Sequence, residues 1–317
     1  MWSTTLTHIF CWLMVMVFVA GCNRSDPILV GFAAELTGKR GELGVAARNG
    51  AQMAVNEINE RGGVNHRPLK LLIQDDQGQP ETARQVDAEM VAAGVVAIIG
   101  HTTSQQTTAV FDQLNQAKVV LLSPTSTSTD FSRQADYFFR VIPGNDFLGM
   151  ALARHIYRNR SIKRIVGIYD LSNRSFAETQ WQAVRAEFER LGGEAGPVFT
   201  FTSGETNLKQ LMAQVAAVQP EGVVIVASAI DAALLAQYGR QQNLRSHLFS
   251  SSWAYTGELL EKGGQAVEGM DLGSFYNAQN PYPAFTPYLN RFTSLYQHNP
   301  DFPAAYAYES VLVLARA

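Results

Sequence analysis

From Ile28 onward, short aliphatic runs alternate with longer stretches in which apolar positions recur every three or four residues. The runs Ile28 to Leu36, Leu69 to Asp75 and Val95 to Gly100 read as strands. Amphipathic helices are predicted over Val45 to Arg61, Glu81 to Ala93 and Gln105 to Gln116. Lys118 to Leu122 reads as a fourth strand. A second series has the same rhythm. Its strands are expected over Tyr137 to Pro143, Arg164 to Asp170, Pro197 to Phe201, Gly222 to Ser228 and His247 to Ser252. Its helices are expected over Phe147 to Tyr157, Phe176 to Leu191, Leu208 to Val218 and Asp231 to Gln242. Strands that are apolar throughout suit a parallel sheet covered on both faces, so the pattern predicts an α/β protein of two lobes. The last stretch, Pro303 to Ala317, reads as helix up to its final residue with no cap or breaker. It sets the expectation of a chain truncated at its C-terminus.

The first 22 residues do not follow that rhythm. Ile9 to Gly21 is a continuous apolar run of 13 residues, shorter than the roughly 20 a membrane-spanning helix needs. It ends in small residues before Cys22, the layout of an export signal, although no Lys or Arg occurs in the first ten residues. Val19 to Cys22, "VAGC", resembles the lipobox of bacterial lipoproteins. That resemblance implies lipidation of Cys22 and a membrane anchor. Cys11 lies in the signal, so the exported chain would keep one cysteine and form no internal disulfide.

Composition narrows the function. The 317 residues carry a net charge of −3, with 46% hydrophobic and 17% charged positions, so there is no basic surplus for nucleic acid. Nucleophile elbows, phosphate-binding loops and paired-cysteine or paired-histidine metal motifs are missing from the sequence. This argues against an enzyme and against a cofactor or metal. Gly38, Gly41 and Gly44 do not have the dinucleotide-binding spacing. Asp75 and Asp76 close a strand, where a solvated turn or a helix cap is expected.

Hydroxyls are the chemistry that stands out. Ser123 to Thr129 carries six in seven residues, and further clusters occur at His101 to Thr107, Leu171 to Phe176, Ser228 to Asp231 and Ser250 to Tyr255. All five follow predicted strands, where ligands bind in open α/β sheets. Several open into helices, whose free N–H groups attract a carboxylate. Taken singly, each cluster can be a cap alone.

The blocks "ILVGFAAELTGKRGELGVAARNGAQMAVNEINERGGV", "VVAIIGHTTS", "LLSPTSTSTDF", "YFFRVIPGNDFLG" and "AVEGM" resemble the Leu/Ile/Val-binding receptors, the type I periplasmic binding proteins, from Pro27 to the end of the chain. The resemblance implies two Rossmann-like lobes, one from 26–144 plus 275–317 and one from 145–274. They would be joined by three crossovers and close on a ligand by a hinge. It also implies an ABC importer as partner, through its permease, on the periplasmic or extracellular face. A sensory module signalling to a membrane receptor is the alternative.

By the same resemblance Ser104, Thr125 and Thr127 hold the ligand's carboxylate, and Phe176 takes the place of an aromatic residue in the second lobe. Leu43 stands where an aromatic is frequent. Where amino-acid binders place an acid for the ammonium group, this chain has Ser252 and Trp253, and Asp231 is the nearest acid that could replace it. A buried ammonium without a partner is costly, so an aromatic or branched acid lacking a free amine is the expected ligand, with an amino acid behind it.

Overall fold

The computed structural model describes residues 26–38 and 41–317. The proposed signal and Cys22 lie outside the described residues. In chain order the first lobe runs β1 (Ile28–Ala34), α1 (Gly41–Glu60), β2 (Leu69–Asp75), α2 (Pro80–Ala92), β3 (Ala97–Gly100), α3 (Ser104–Ala117), β4 (Val120–Ser123) and β5 (Phe138–Arg140). Its parallel sheet has the order β2-β1-β3-β4-β5. The second lobe runs α4 (Asn145–Arg154), β6 (Arg164–Asp170), α5 (Arg174–Arg190), β7 (Glu194–Phe201), α6 (Leu208–Val218), β8 (Gly222–Val226), α7 (Ala229–Gln241), β9 (His247–Ser250), α8 (Gly257–Gly263) and β10 (Asp271–Leu272). Its sheet, β7-β6-β8-β9-β10, repeats the topology of the first. Each sheet reverses strand order at its first strand, and the crevice opens beyond the carboxyl ends on either side of that point.

The chain then returns to the first lobe with α9 (Phe285–Tyr296) and α10 (Phe302–Leu314). Small residues allow this return: Ala47, Ala51 and Ala54 of α1 pack with Ala307 and Val311 of α10. Gly50 faces the Ala304 carbonyl so closely that any added Cβ would collide with it. Where the sequence suggests helix to the final residue, α10 runs to Leu314 and gives way to a closing turn, in which the Ala315 N–H still bonds the Val311 carbonyl. β3 is also shorter than its apolar run: it begins at Ala97, although the N–H of the 57% exposed Val96 still donates to the Leu29 carbonyl of β1.

Asp76 departs furthest from expectation. It is not in a solvated turn but is 1% exposed, and its Oδ2 lies 2.6 Å from Nδ1 of His101. On the other side of the ring, Nε2 lies 3.2 Å from Oδ2 of Asp87, which is also fully buried. Three residues that look unrelated in sequence form one buried ionic cluster directly beneath the β3–α3 loop.

Candidate functional site

The β3–α3 loop and the loop after β4 are bound to each other by hydroxyls. The His101 carbonyl accepts from Ser123 Oγ (3.0 Å) and Ser126 Oγ (3.2 Å), and the Thr102 carbonyl accepts from Thr125 Oγ1 (2.8 Å). Thr103 caps α3 by accepting from the Gln106 N–H, and Ser128 caps a short 3-10 turn through the Asp130 N–H. Much of the hydroxyl cluster is therefore structural, and Thr125 delivers its proton to backbone. Ser104 differs from its neighbours. Its Oγ accepts from the Ser128 N–H at 3.2 Å, which leaves the hydroxyl proton to donate elsewhere. Thr127 is 3% exposed, and its Oγ1 has no hydrogen-bond partner. It is not among the residues that line the cleft pocket.

Second-lobe residues close over these loops. Asn173, at the end of the β6–α5 connection, accepts through Oδ1 from the Gln105 N–H (3.1 Å), so it occupies the N-terminus of α3 from across the gap. Thr108 and Ser175 pair their hydroxyls at 2.9 Å. Phe176 and Trp253 meet edge to face at 5.8 Å and share one apolar cluster with Leu43 and Phe302 of the first lobe. The pocket they enclose is lined by Thr102, Thr103, Ser104 and Thr125 on one side and by Phe176, Ser252 and Trp253 on the other. Its volume is about 20 Å³. That is room for a water or so, and a ligand of several heavy atoms enters only when the lobes part. The indole N–H of Trp253 is buried and has no partner.

Asp231 is placed elsewhere. It is fully buried in the second lobe, where Ser203 Oγ (2.6 Å) and Ser228 Oγ (2.9 Å) donate to its Oδ2. Ser228 is the cap of α7, and its Oγ accepts from the Asp231 N–H. Among the described residues, Glu42 and Glu258 are acids that do reach the cleft. With Leu43, Trp253 and Thr256 they line a second pocket of about 10 Å³ that shares two walls with the first. Burial, and after it the hydrogen bond and charge of Glu258, push the Glu42 carboxyl up to about 8.

Ser104, Thr125, Phe176, Ser252 and Trp253 thus come together, while Thr127 and Asp231 stand apart. Sequence reasoning missed Asn173, Glu42, Glu258 and Phe302. Asn173 lay inside a cluster singled out for its hydroxyls, which an Asn does not have. Glu42 and Glu258 each sit in the first turn of a helix, where an acid reads as a dipole partner.

A family described as periplasmic binding protein matches residues 27–317. The chain belongs to this family. Among curated members, it is 24% identical over 312 residues to the leucine-, isoleucine-, valine-, threonine- and alanine-binding protein of Pseudomonas aeruginosa, covering 98% of this chain and 83% of that protein. It is 26% identical over 316 residues to a Leu/Ile/Val-binding protein homolog of Brucella abortus, covering 98% and 83%. The periplasmic binding protein fold is shared with a leucine-binding protein of Thermotoga maritima, at TM-score 0.85 and 24% identity over 91% of this chain and 82% of that one. It is shared too with a solute-binding protein of R. palustris crystallised with benzoate, at TM-score 0.83 and 18% identity over 91% and 79%.

Proposed function

We propose that this periplasmic binding protein captures a small carboxylate between its lobes and delivers it to the permease of an ABC importer. The carrying observation is the hydroxyl-lined pocket that sits at the strand-order reversal of both sheets and is closed by residues of both lobes. Lobe 26–144 plus 275–317 closes on lobe 145–274, and ligand contacts made only in the closed form shift the population toward it. No chemistry is done on the ligand.

Ser104 donates to the carboxylate, Thr125 shapes its loop, and Phe176, Ser252 and Trp253 form the opposite wall. That wall has no carboxylate at Ser252 or Trp253, and the neighbouring acids Glu42 and Glu258 are paired with each other, which supports an acid without a free amine. Benzoate, held by a protein of the same fold, is such an acid. In a thermal-shift screen of the chain from Asn23, aromatic and branched acids at 100 times their dissociation constants are expected to add about 2.7 kcal/mol. Shifts by leucine-like amino acids alone would transfer the reading to amino acids. No shift with either set would remove it.

The protein works outside the cytoplasmic membrane, held there by a lipid on Cys22. Cells fed labelled palmitate are expected to label the wild-type chain and not Cys22→Ser. Equal labelling of both would dismiss the anchor.

A further inference from the structure

Glu42 and Glu258 come from opposite lobes and meet at the edge of the cleft. Glu42 is in the first turn of α1 and Glu258 in the first turn of α8. Thr256 donates its hydroxyl to Glu42 Oε2 across the gap at 3.1 Å. A carboxylate only accepts hydrogen bonds, so two carboxyl groups in hydrogen-bond contact need a proton between them. Among the described residues no Lys, Arg or His lines their pocket. Among the described residues the other charged group facing Glu42 is a third acid, Asp301, on the turn before α10, and His298 faces Asp301 in turn.

We propose that Glu42 and Glu258 are a proton-loaded latch: the lobes close with one proton held between these carboxyl groups, so closure weakens as the pH rises. The proposal rests on the hinge closure argued above and not on the identity of the ligand. With the lobes together, burial and then Glu258 set Glu42 at about 8; with the lobes apart it meets water and returns toward 4.5. A group whose value is raised in one state stabilises that state fully below its ordinary value. The advantage is lost as the pH climbs through about 8. For one proton the closure constant falls by up to about tenfold per pH unit inside that window. The consequence is tighter capture in an acidified medium and easier opening in a neutral one.

Small-angle scattering of the ligand-free chain from Asn23 at pH 5 and pH 8.5 tests the latch whether or not any ligand has been found. The wild-type radius of gyration is expected to rise at the higher pH. Glu42→Gln and Glu258→Gln, which supply a permanent donor in place of the proton, are expected to stay compact at both. The Lys39→Ala/Arg40→Ala double variant, altered beside Glu42 in sequence, is expected to keep the wild-type response. Carboxyl carbon shifts give a second reading, with Glu42 titrating well above the usual carboxylate range in the wild type and lower, though still raised by burial, in Glu258→Gln. The latch is overturned by a wild-type radius that does not respond to pH, by glutamine variants that respond as the wild type does, or by a response lost with Lys39 and Arg40. A pH response in a chain that binds no carboxylate would leave the latch standing and remove the ligand reading instead.

Discussion

His101→Ala is expected to cost the protein about 3–5 kcal/mol of stability, the range seen when one partner of a buried ionic cluster is removed. Each ring nitrogen of His101 faces a carboxylate oxygen, at 2.6 Å from Asp76 and 3.2 Å from Asp87. Carboxylates only accept, so both nitrogens carry protons and the ring is an imidazolium. Burial alone would lower its pKa, but the charge of Asp87 and the bonds from both acids outweigh it and raise it to about 10. Removing the ring leaves two buried carboxylates without a cation. The sign for pH follows from the raised value: the contribution is fully present below the ordinary 6.5 and disappears as the pH rises through about 10. Urea unfolding from pH 6 to pH 10.5 checks both statements. A loss below 1 kcal/mol, or ring nitrogens that are not both protonated by NMR at pH 8, would contradict this account. Because the His101 carbonyl anchors Ser123 and Ser126, the variant is also expected to weaken ligand binding by loosening both loops.

Ser104→Ala is expected to weaken ligand binding by about 10- to 150-fold, the loss of one charge-assisted bond worth about 1.5–3 kcal/mol. Ser104 accepts from the Ser128 N–H and keeps its own proton for the ligand, so its removal also leaves the buried Ser128 N–H without its acceptor and is expected to cost the unliganded fold about 1–3 kcal/mol. Asp231→Asn makes the contrast. Its carboxylate is already held by Ser203 and Ser228, and the variant is expected to shift the melting temperature while leaving affinity within about twofold. Calorimetric titration with whichever acid leads the thermal-shift screen separates the two. An unchanged affinity in Ser104→Ala takes the carboxylate away from the α3 N-terminus, and a large loss in Asp231→Asn makes that acid part of the site.

The strands were easiest to read. β2 and β6 have the bounds expected from sequence, because a run such as Ile165–Ile168 within β6 is buried on both faces and bears little else. Helix starts were read up to four residues late, as at α1 and α5, because capping turns carry polar residues that interrupt the apolar period. Of the hydroxyl loops the sequence showed position but not partner. Ser123, Thr125 and Ser126 look equivalent to Ser104 on the page, yet their protons go to carbonyls two loops away.

The sequence by itself determined the α/β class and the family, and it put the hydroxyl loops at the carboxyl edge of the strands. These depend on local periodicity and on short blocks of contiguous residues. Only the tertiary structure decided which polar groups remain for a ligand, since a hydroxyl or carboxylate is used up by whatever folds against it. It sent Asp231 into the second lobe, drew Asp76 and Asp87 around His101, and brought Glu42 to Glu258 from the far side of the cleft. Those meetings join residues tens to hundreds of positions apart, and no pattern along the chain encodes the distance between them.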